Sequence, residues 1–482
     1  MKAANVRPVT TARDGCGGSV DDPWPAVRIR FRQWRPGPVA LVKLAVMLSF
    51  VVPARLVLKG PLGAAGRPSL VVGLIVLVVW LLRFLQPASP RPFQPTRAFL
   101  MCYVVTWVGS VAVAYLRGLS PVEVAGIDRY FLITLSLSGL ALATADLVRN
   151  RAELDSLLRT VAYGAALMSV VGIIQFNLGI NVVEGLRLPG MRLNGELAGV
   201  AERGGPGFTR AVGTAQHSIE FGVLLAMALP LAIHYALRAP RGRLRNLRWA
   251  LAGVVAVGIP MSLARSAIIA LVVVLIVLLR SWNDRTKATA LVVIGAGTTM
   301  LYGSIPGLIG TFISFFRNAQ TDRSVAGRTQ DYATVSELFQ QRPLLGLGGG
   351  AFRPEQYFIL DNYLLNALLS TGLLGLLSLL VMVLGSYSIA SAVYRRPGHA
   401  EDRHLAAALA ASILAGFVSS ATFDSLNFPS FAALLFVLVG ATGALWRLTG
   451  TLEVPSDQSP FHRVVKVPSD AWPRTFAHVR SG

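Results

Sequence analysis

Cysteine is scarce. The 482-residue chain holds two, Cys16 in the N-terminal stretch and Cys102 inside an apolar block, which excludes a disulfide-stapled fold. Histidine is scarce as well, with six in all. There is no HExxH, no Cys/His cluster and no Asp-x-Asp in the loops expected to face outward, so neither a metal nor any other cofactor is expected. The GLGGG stretch at residues 346–350 is not followed by Gly-Lys-Ser or Gly-Lys-Thr, and no strand pattern precedes it. It reads as a turn at a helix end rather than a nucleotide-phosphate loop, which argues against an ATPase or a sugar-nucleotide enzyme. Charge is low too, at 14% of residues, where soluble domains carry about 25%. The first residues, MKAANVRPVTTARDGCGGSVDDPWP, lack a continuous apolar core and do not read as a signal peptide.

What is present is apolar surface. Hydrophobic residues make up 53% of the chain and the mean hydropathy is +0.57. They come in repeated blocks of about 20 residues, the length that crosses a ~30 Å hydrocarbon layer. The expected fold is therefore all-α, a polytopic transmembrane helical protein. A β-barrel would show short alternating segments instead. Twelve membrane segments are expected, near residues 39–58, 69–85, 98–116, 129–148, 157–178, 218–237, 249–262, 266–279, 288–303, 362–392, 405–423 and 428–446. Residues 39–446 then form one membrane domain. Residues 1–38 are expected to be a disordered basic tail and 447–482 a second tail. No solenoid repeat and no separate soluble domain is visible.

The net charge of +21 does not point to nucleic acid, because the basic residues sit in short stretches between apolar blocks. It points to orientation. One alternate set of loops is far richer in Lys and Arg, and RAPRGRLRNLR alone holds five Arg. The positive-inside rule places that set, with both termini, in the cytoplasm of a cell-membrane protein. Two long loops, 179–217 and 304–360, then face outward. Loops of that length are usually functional or disordered.

The outward face offers arginines. Arg210 precedes the sixth segment, Arg265 is wedged between two apolar runs, and Arg328 lies in VAGRTQDYATVSELF, which reads as an amphipathic helix on the outer surface. A guanidinium fork fits phosphate oxygens, so three converging arginines can hold a lipid pyrophosphate. The competing reading is snorkelling to headgroups, which is accepted for Arg203, Arg317 and Arg323. Asn362, Asn366 and Ser370 recur every four residues along the tenth segment and share one helical face. That polar stripe must face protein or a wet cavity, either as helix–helix contact or as a ligand groove. Gly372 and Gly375 read as close-packing sites. Asp361 is placed to take a proton from a hydroxyl or to cap the helix. His217, the outward histidine, opens the sixth segment as a hydrogen-bonding or substrate-binding residue.

Taken in order, RAVGTAQHSIEFG, SLARSA, AGRTQDYATVSELFQQRPLLGLGGGAF and DNYLLNALLSTGLLG resemble the O-antigen ligase/polymerase family of bacterial membrane glycosyltransferases, over roughly residues 210–375. The resemblance implies metal-independent transfer of a glycan from a polyprenyl-pyrophosphate-linked oligosaccharide to a glycan or lipid acceptor on the outer membrane face. Membrane lipids, and other polysaccharide assembly proteins, are the implied surroundings. It also implies that Arg210, Arg265 and Arg328 engage the pyrophosphate, while Asp361 and the Asn362 helix close the site. The chain departs from the pattern at one place: Asp361 stands where ligases of the family have His. A carboxylate, with a reference pKa of about 3.9 against about 6.5 for imidazole, is the weaker base unless burial raises it. Polymerisation of exopolysaccharide repeat units is therefore the first expectation and a ligase the second. A transporter of polysaccharide or lipid-linked oligosaccharide is the reading from another class. It should show charges at mid-bilayer or matching broken helices in its two halves.

Overall fold

The computed structural model describes residues 37–86, 93–180, 185, 186, 188–194, 209–304, 310, 313 and 323–450; the side chains of 301, 304 and 323–331 lie outside that description. Within it the protein is helical. The helices are α1 (Pro38–Val51), α2 (Pro68–Leu85), α3 (Pro95–Tyr115), α4 (Pro121–Leu147), α5 (Arg151–Leu178), α6 (Ser218–Leu237) and α7 (Arg243–Met261), followed by α8 (Arg265–Ser281), α9 (Asp284–Ser304), α10 (Arg323–Gln341), α11 (Tyr363–Arg395), α12 (Ala400–Ser420) and α13 (Pro429–Gly450). Eight of them, α2 to α6 and α11 to α13, are long and apolar enough to cross a membrane. The other four expected segments are also helical, but α1 has 14 residues, α8 has 17, and α7 and α9 open on charged turns. The protein is thus an all-α polytopic membrane protein.

Local chemistry sets several boundaries. Pro121 at the first turn of α4 follows Ser120, whose hydroxyl accepts from Glu123 N while Glu123 returns a bond to Ser120 N, a complete capping box. Gly179 ends α5 in the left-handed region at φ 66°. The expected first segment, 39–58, requires correction. α1 stops at Val51 because Pro53 has no N–H to donate and holds Val52 extended. Leu56–Leu58 is instead a strand, β1, paired antiparallel with β2 (Met191–Leu193) in the register Leu56 to Leu193.

The helix ends sort into two sets, as the alternation of loops requires. At one end, Ala54 N donates to Thr214 O, Ser430 Oγ to Ser49 O, and Tyr363 N to Phe423 O. Glu220, fully buried, accepts from Gln216 N and from Ser430 N and Phe431 N at the start of α13, a carboxylate at a helix N-terminus. At the other end, Lys43 reaches Ser156, Arg151 pairs with Asp155 and Asp402, and Tyr394 donates to Ser281 O. The most enclosed helices are α6 and α13, at the centre of the bundle.

One helix is broken. Inside α11, Gly372 has φ 69° and ψ −170°, which frees backbone groups in the middle of an apolar segment. Free groups there must be satisfied by protein. The stretch at 343–348 does this: Leu347 N and Gly348 N donate to Leu369 O and Ser370 O, while Leu373 N and Leu374 N donate to Pro343 O and Leu344 O. GLGGG is therefore the splint of a discontinuous helix, and Gly372 is a break rather than only a close-packing site. A Cβ on Gly346 (φ +68°) would lie 2.5 Å from Leu369 O. Gly346→Ala is expected to lower stability by about 1–3 kcal/mol, read as a fall in unfolding temperature in detergent. Gly297→Ala, with open space around it, is the control that stays at wild type.

Candidate functional site

The site forms where four connections meet at one end of the bundle. The first is the stretch before α6. Gln175, buried on α5, accepts from Val212 N (3.0 Å) and Gly213 N (2.6 Å) and donates to Gly213 O (3.1 Å), pinning the chain just after Arg210. Ala211 N then donates to Met261 O, and Arg210 Nη2 reaches Leu263 O at 3.4 Å. Arg210 is thereby held against the second connection, the α7–α8 turn.

That turn is strained. Leu263, buried, has φ +47°, the one positive value at a non-glycine residue among those described. Such strain persists only where the surroundings hold it, and it clusters at functional sites. The turn lets α8 begin immediately, with Arg265 in its first position. A guanidinium beside the positive end of a helix is electrostatically unfavourable on its own. A cation and the N–H groups of a helix start at one place are the arrangement that suits an anion, and here Ser266 and Ala267 of that first turn are buried.

The third connection, between α12 and α13, carries a residue the motif reading passed over. Thr422 Oγ1 donates to Ser266 Oγ at 2.8 Å, tying this loop to the start of α8. Two residues on, half-buried Asp424 accepts from Asn366 Nδ2 at 3.1 Å and from Asn427. Desolvation, with the nearby charge of Asp361 adding to it, pushes the Asp424 carboxyl from 3.8 up to about 7; the bonds from Asn427 and Asn366 act in the opposite sense. The signal in the sequence was slight: one Asp in a short connector between apolar runs.

The fourth connection leads into α11. Asn362 is the cap of that helix, accepting from Leu364 N (3.0 Å) and Leu365 N (3.3 Å). Asp361 is therefore not the cap, and it is exposed at the mouth of the site. Asn366 is bound to Asp424 and accepts from Ser370 Oγ at 2.8 Å. The polar face of α11 lines a cavity of about 50 Å³ with Tyr103, Tyr130, Tyr363 and Asn427, so it does not meet hydrocarbon. That volume suits a water or two rather than a sugar. His217 caps α6 through Nδ1, accepting from Ile219 N at 3.2 Å, and its ring lies 6.2 Å from that of Phe428.

The structure thus links these connections in series. Asn366 bonds Asp424 and the charge of Asp361 acts on it, the Thr422 loop is tied to Ser266 beside Arg265, and Arg210 reaches the Leu263 turn just before it. His217 lies against Phe428 at the end of the same loop. Arg328 lies in α10, which is helical as expected, but its side chain is outside the described residues. The pattern also missed Arg67, buried and donating to Ala54 O and Gln216 Oε1 on the same side of the bundle.

Residues 249–380 match the family model described as O-Antigen ligase, the family that the motifs resemble. The match covers Arg265, Arg328, Asp361 and Asn366, while Arg210, His217 and Asp424 lie outside it. No curated protein matches the chain. The match and the apolar helices together support a multi-pass membrane enzyme that transfers glycosyl groups in surface polysaccharide synthesis.

Proposed function

We propose that this protein polymerises repeat units of a surface polysaccharide on the outer face of the cell membrane, taking each glycan from a polyprenyl-pyrophosphate carrier without a metal. The observation that supports this reading is the tie between the start of α8, where Arg265 sits and Arg210 reaches the preceding turn, and the loop that carries Asp424, whose carboxyl is raised to about 7.

Arg210, Arg265 and the first turn of α8 hold the pyrophosphate. An acceptor hydroxyl attacks the anomeric carbon of the donor glycan, forming the new glycosidic bond as the bond to the pyrophosphate oxygen breaks. The electron pair leaves on that oxygen, where the guanidiniums neutralise it. The hydroxyl proton passes to a carboxylate. Asp361 is the residue at the family's base position, but Asp424 fits the role better, because a base works best with a pKa near the operating pH. Asp361 then orients the acceptor and raises Asp424 by its charge. Asn366 holds the Asp424 carboxylate in place.

The test in cells is deletion and complementation of the gene, with surface glycan and carrier-linked intermediates measured. A polymerase predicts loss of long chains and accumulation of single repeat units on the carrier. A ligase, the reading favoured by the description of the family model, predicts long chains retained on the carrier instead. Unchanged glycan and unchanged intermediates would exclude both.

A further inference from the structure

We infer that, on the transfer reading above, Arg129 of α4 is a further substrate-binding residue and holds an acidic group on the sugar of the acceptor glycan. It lies beside the buried Arg67, at the same end of the bundle as the candidate site. A Cβ on Gly63 would lie 3.5 Å from Arg129 Nε, so the side chain runs against the single helical turn Gly63–Gly66. Arg67 Nη1 donates to Ala64 O of that same turn at 3.4 Å. The two guanidiniums are thus neighbours, and the charge of Arg129 acts on Arg67.

The neighbouring charges each have a partner. Arg67 gives its other nitrogens to Ala54 O and Gln216 Oε1, and the charge of Glu220 offsets its own. Arg353 pairs with Glu355 at 3.1 Å. Glu355 also feels the charge of Arg129, but its bond goes to Arg353 and its side chain is 59% exposed. Asp128, next to Arg129 in sequence, accepts from Tyr115 Oη at 2.7 Å. Half-buried Arg129 has no hydrogen-bond acceptor and no ion pair among the described residues. A half-buried cation beside a second cation costs free energy unless an anion joins them. The planar fork fits a carboxylate or a phosphate.

Position selects the acceptor. Tyr130 follows Arg129, and the charges of Asp424, Arg353, Arg67 and Arg129 all act on its hydroxyl. Tyr130 lines the small cavity with Asn366 and Asn427, the two residues that bond Asp424, and Arg353 lies 5.9 Å over its ring. Arg129 and Arg265 reach this centre on different helices: α4 packs chiefly against α2, α3 and α13, whereas α8 packs chiefly against α6 and α12. In a single displacement, the attacking hydroxyl and the leaving oxygen lie on opposite faces of the anomeric carbon. With the pyrophosphate at the start of α8, a cation on the α4 flank meets the acceptor. The acceptor's own carrier pyrophosphate is separated from its hydroxyl by the sugars between them. The group within reach of Arg129 is therefore an acid on the acceptor sugar itself.

The experiment gives the purified full chain in liposomes synthetic carrier-linked repeat units, with the acid present or replaced by the neutral alcohol. Wild-type protein should extend the acidic form with a kcat/KM roughly tenfold or more above that of the neutral form. Arg129→Gln should lose most of that preference while matching wild type on the neutral form, and Arg129→Lys should keep part of it. An unfolding temperature matching wild type shows that each variant is folded. If Arg129→Gln does not fold, Arg129→Lys is read alone, with a smaller loss of preference expected. A repeat unit that carries no acid, equal extension of both forms by wild type, or a preference undiminished in the folded variant would each overturn the assignment. So would an equal loss on both forms, the outcome for a headgroup anchor or a structural residue. No extension of either form by folded wild-type protein would overturn the transfer reading itself, and the role of Arg129 with it.

Discussion

Asp424→Asn is expected to lower turnover by about 10²–10⁴-fold, the usual cost of losing a general base, with carrier binding little changed. The substitution keeps the shape and removes the proton acceptor. The wild-type rate should rise with pH as the carboxyl, pushed up to about 7, gives up its proton, and then level off. Asp361→Asn separates the two carboxylates. Because the charge of Asp361 raises Asp424, its removal should move the midpoint of the profile to lower pH while leaving substantial activity. If Asp361→Asn instead abolishes turnover and Asp424→Asn does not, the base is Asp361. Stability carries the same signature. The folded protein keeps a proton on Asp424 that the unfolded chain releases above 3.8, so wild-type stability should fall as pH rises from about 4 to about 7. Asp424→Asn should flatten that part of the slope, measured by unfolding in detergent across the pH range.

Arg265→Lys is expected to reduce transfer by roughly 10²–10³-fold although the charge is kept, the magnitude typical of removing one donor from a preorganised oxyanion site. Lysine is a point charge without the planar fork. The helix start is otherwise preserved, since the first position of α8 keeps a cation and the Leu263 turn keeps its bond from Arg210. The measurement is glycan product formed from carrier-linked substrate, with protein level and unfolding temperature checked alongside. Normal product from Arg265→Lys would reduce Arg265 to a headgroup anchor and leave the pyrophosphate to other residues.

The physics of the bilayer explains which parts could be read early. Apolar blocks separated by polar connectors have few solutions, and each of the twelve expected segments is a helix or contains one. The error at 39–58 came from reading through Pro53, a local signal that outweighs hydropathy. The break at Gly372 was harder to see. Its cause is backbone pairing with residues 343–348, and apolar periodicity carries no record of which distant backbone groups meet. Asp424 escaped for the same reason, since its partner Asn366 lies 58 residues away and a lone Asp in a short connector has no pattern. The strands β1 and β2, three residues each, are too short for alternation to register. By contrast, Arg265 stood out because a cation between two apolar runs needs a reason wherever it occurs.

Reconstitution decides whether the protein transfers glycan from a polyprenyl-pyrophosphate carrier without a metal. Purified protein in liposomes, given carrier-linked repeat units in the presence of EDTA, should yield a ladder of longer glycans with one polyprenyl pyrophosphate released per bond formed. Asp424→Asn protein should yield neither. No ladder and no released carrier from folded wild-type protein, or a ladder that disappears with EDTA and returns with a divalent cation, would contradict such transfer.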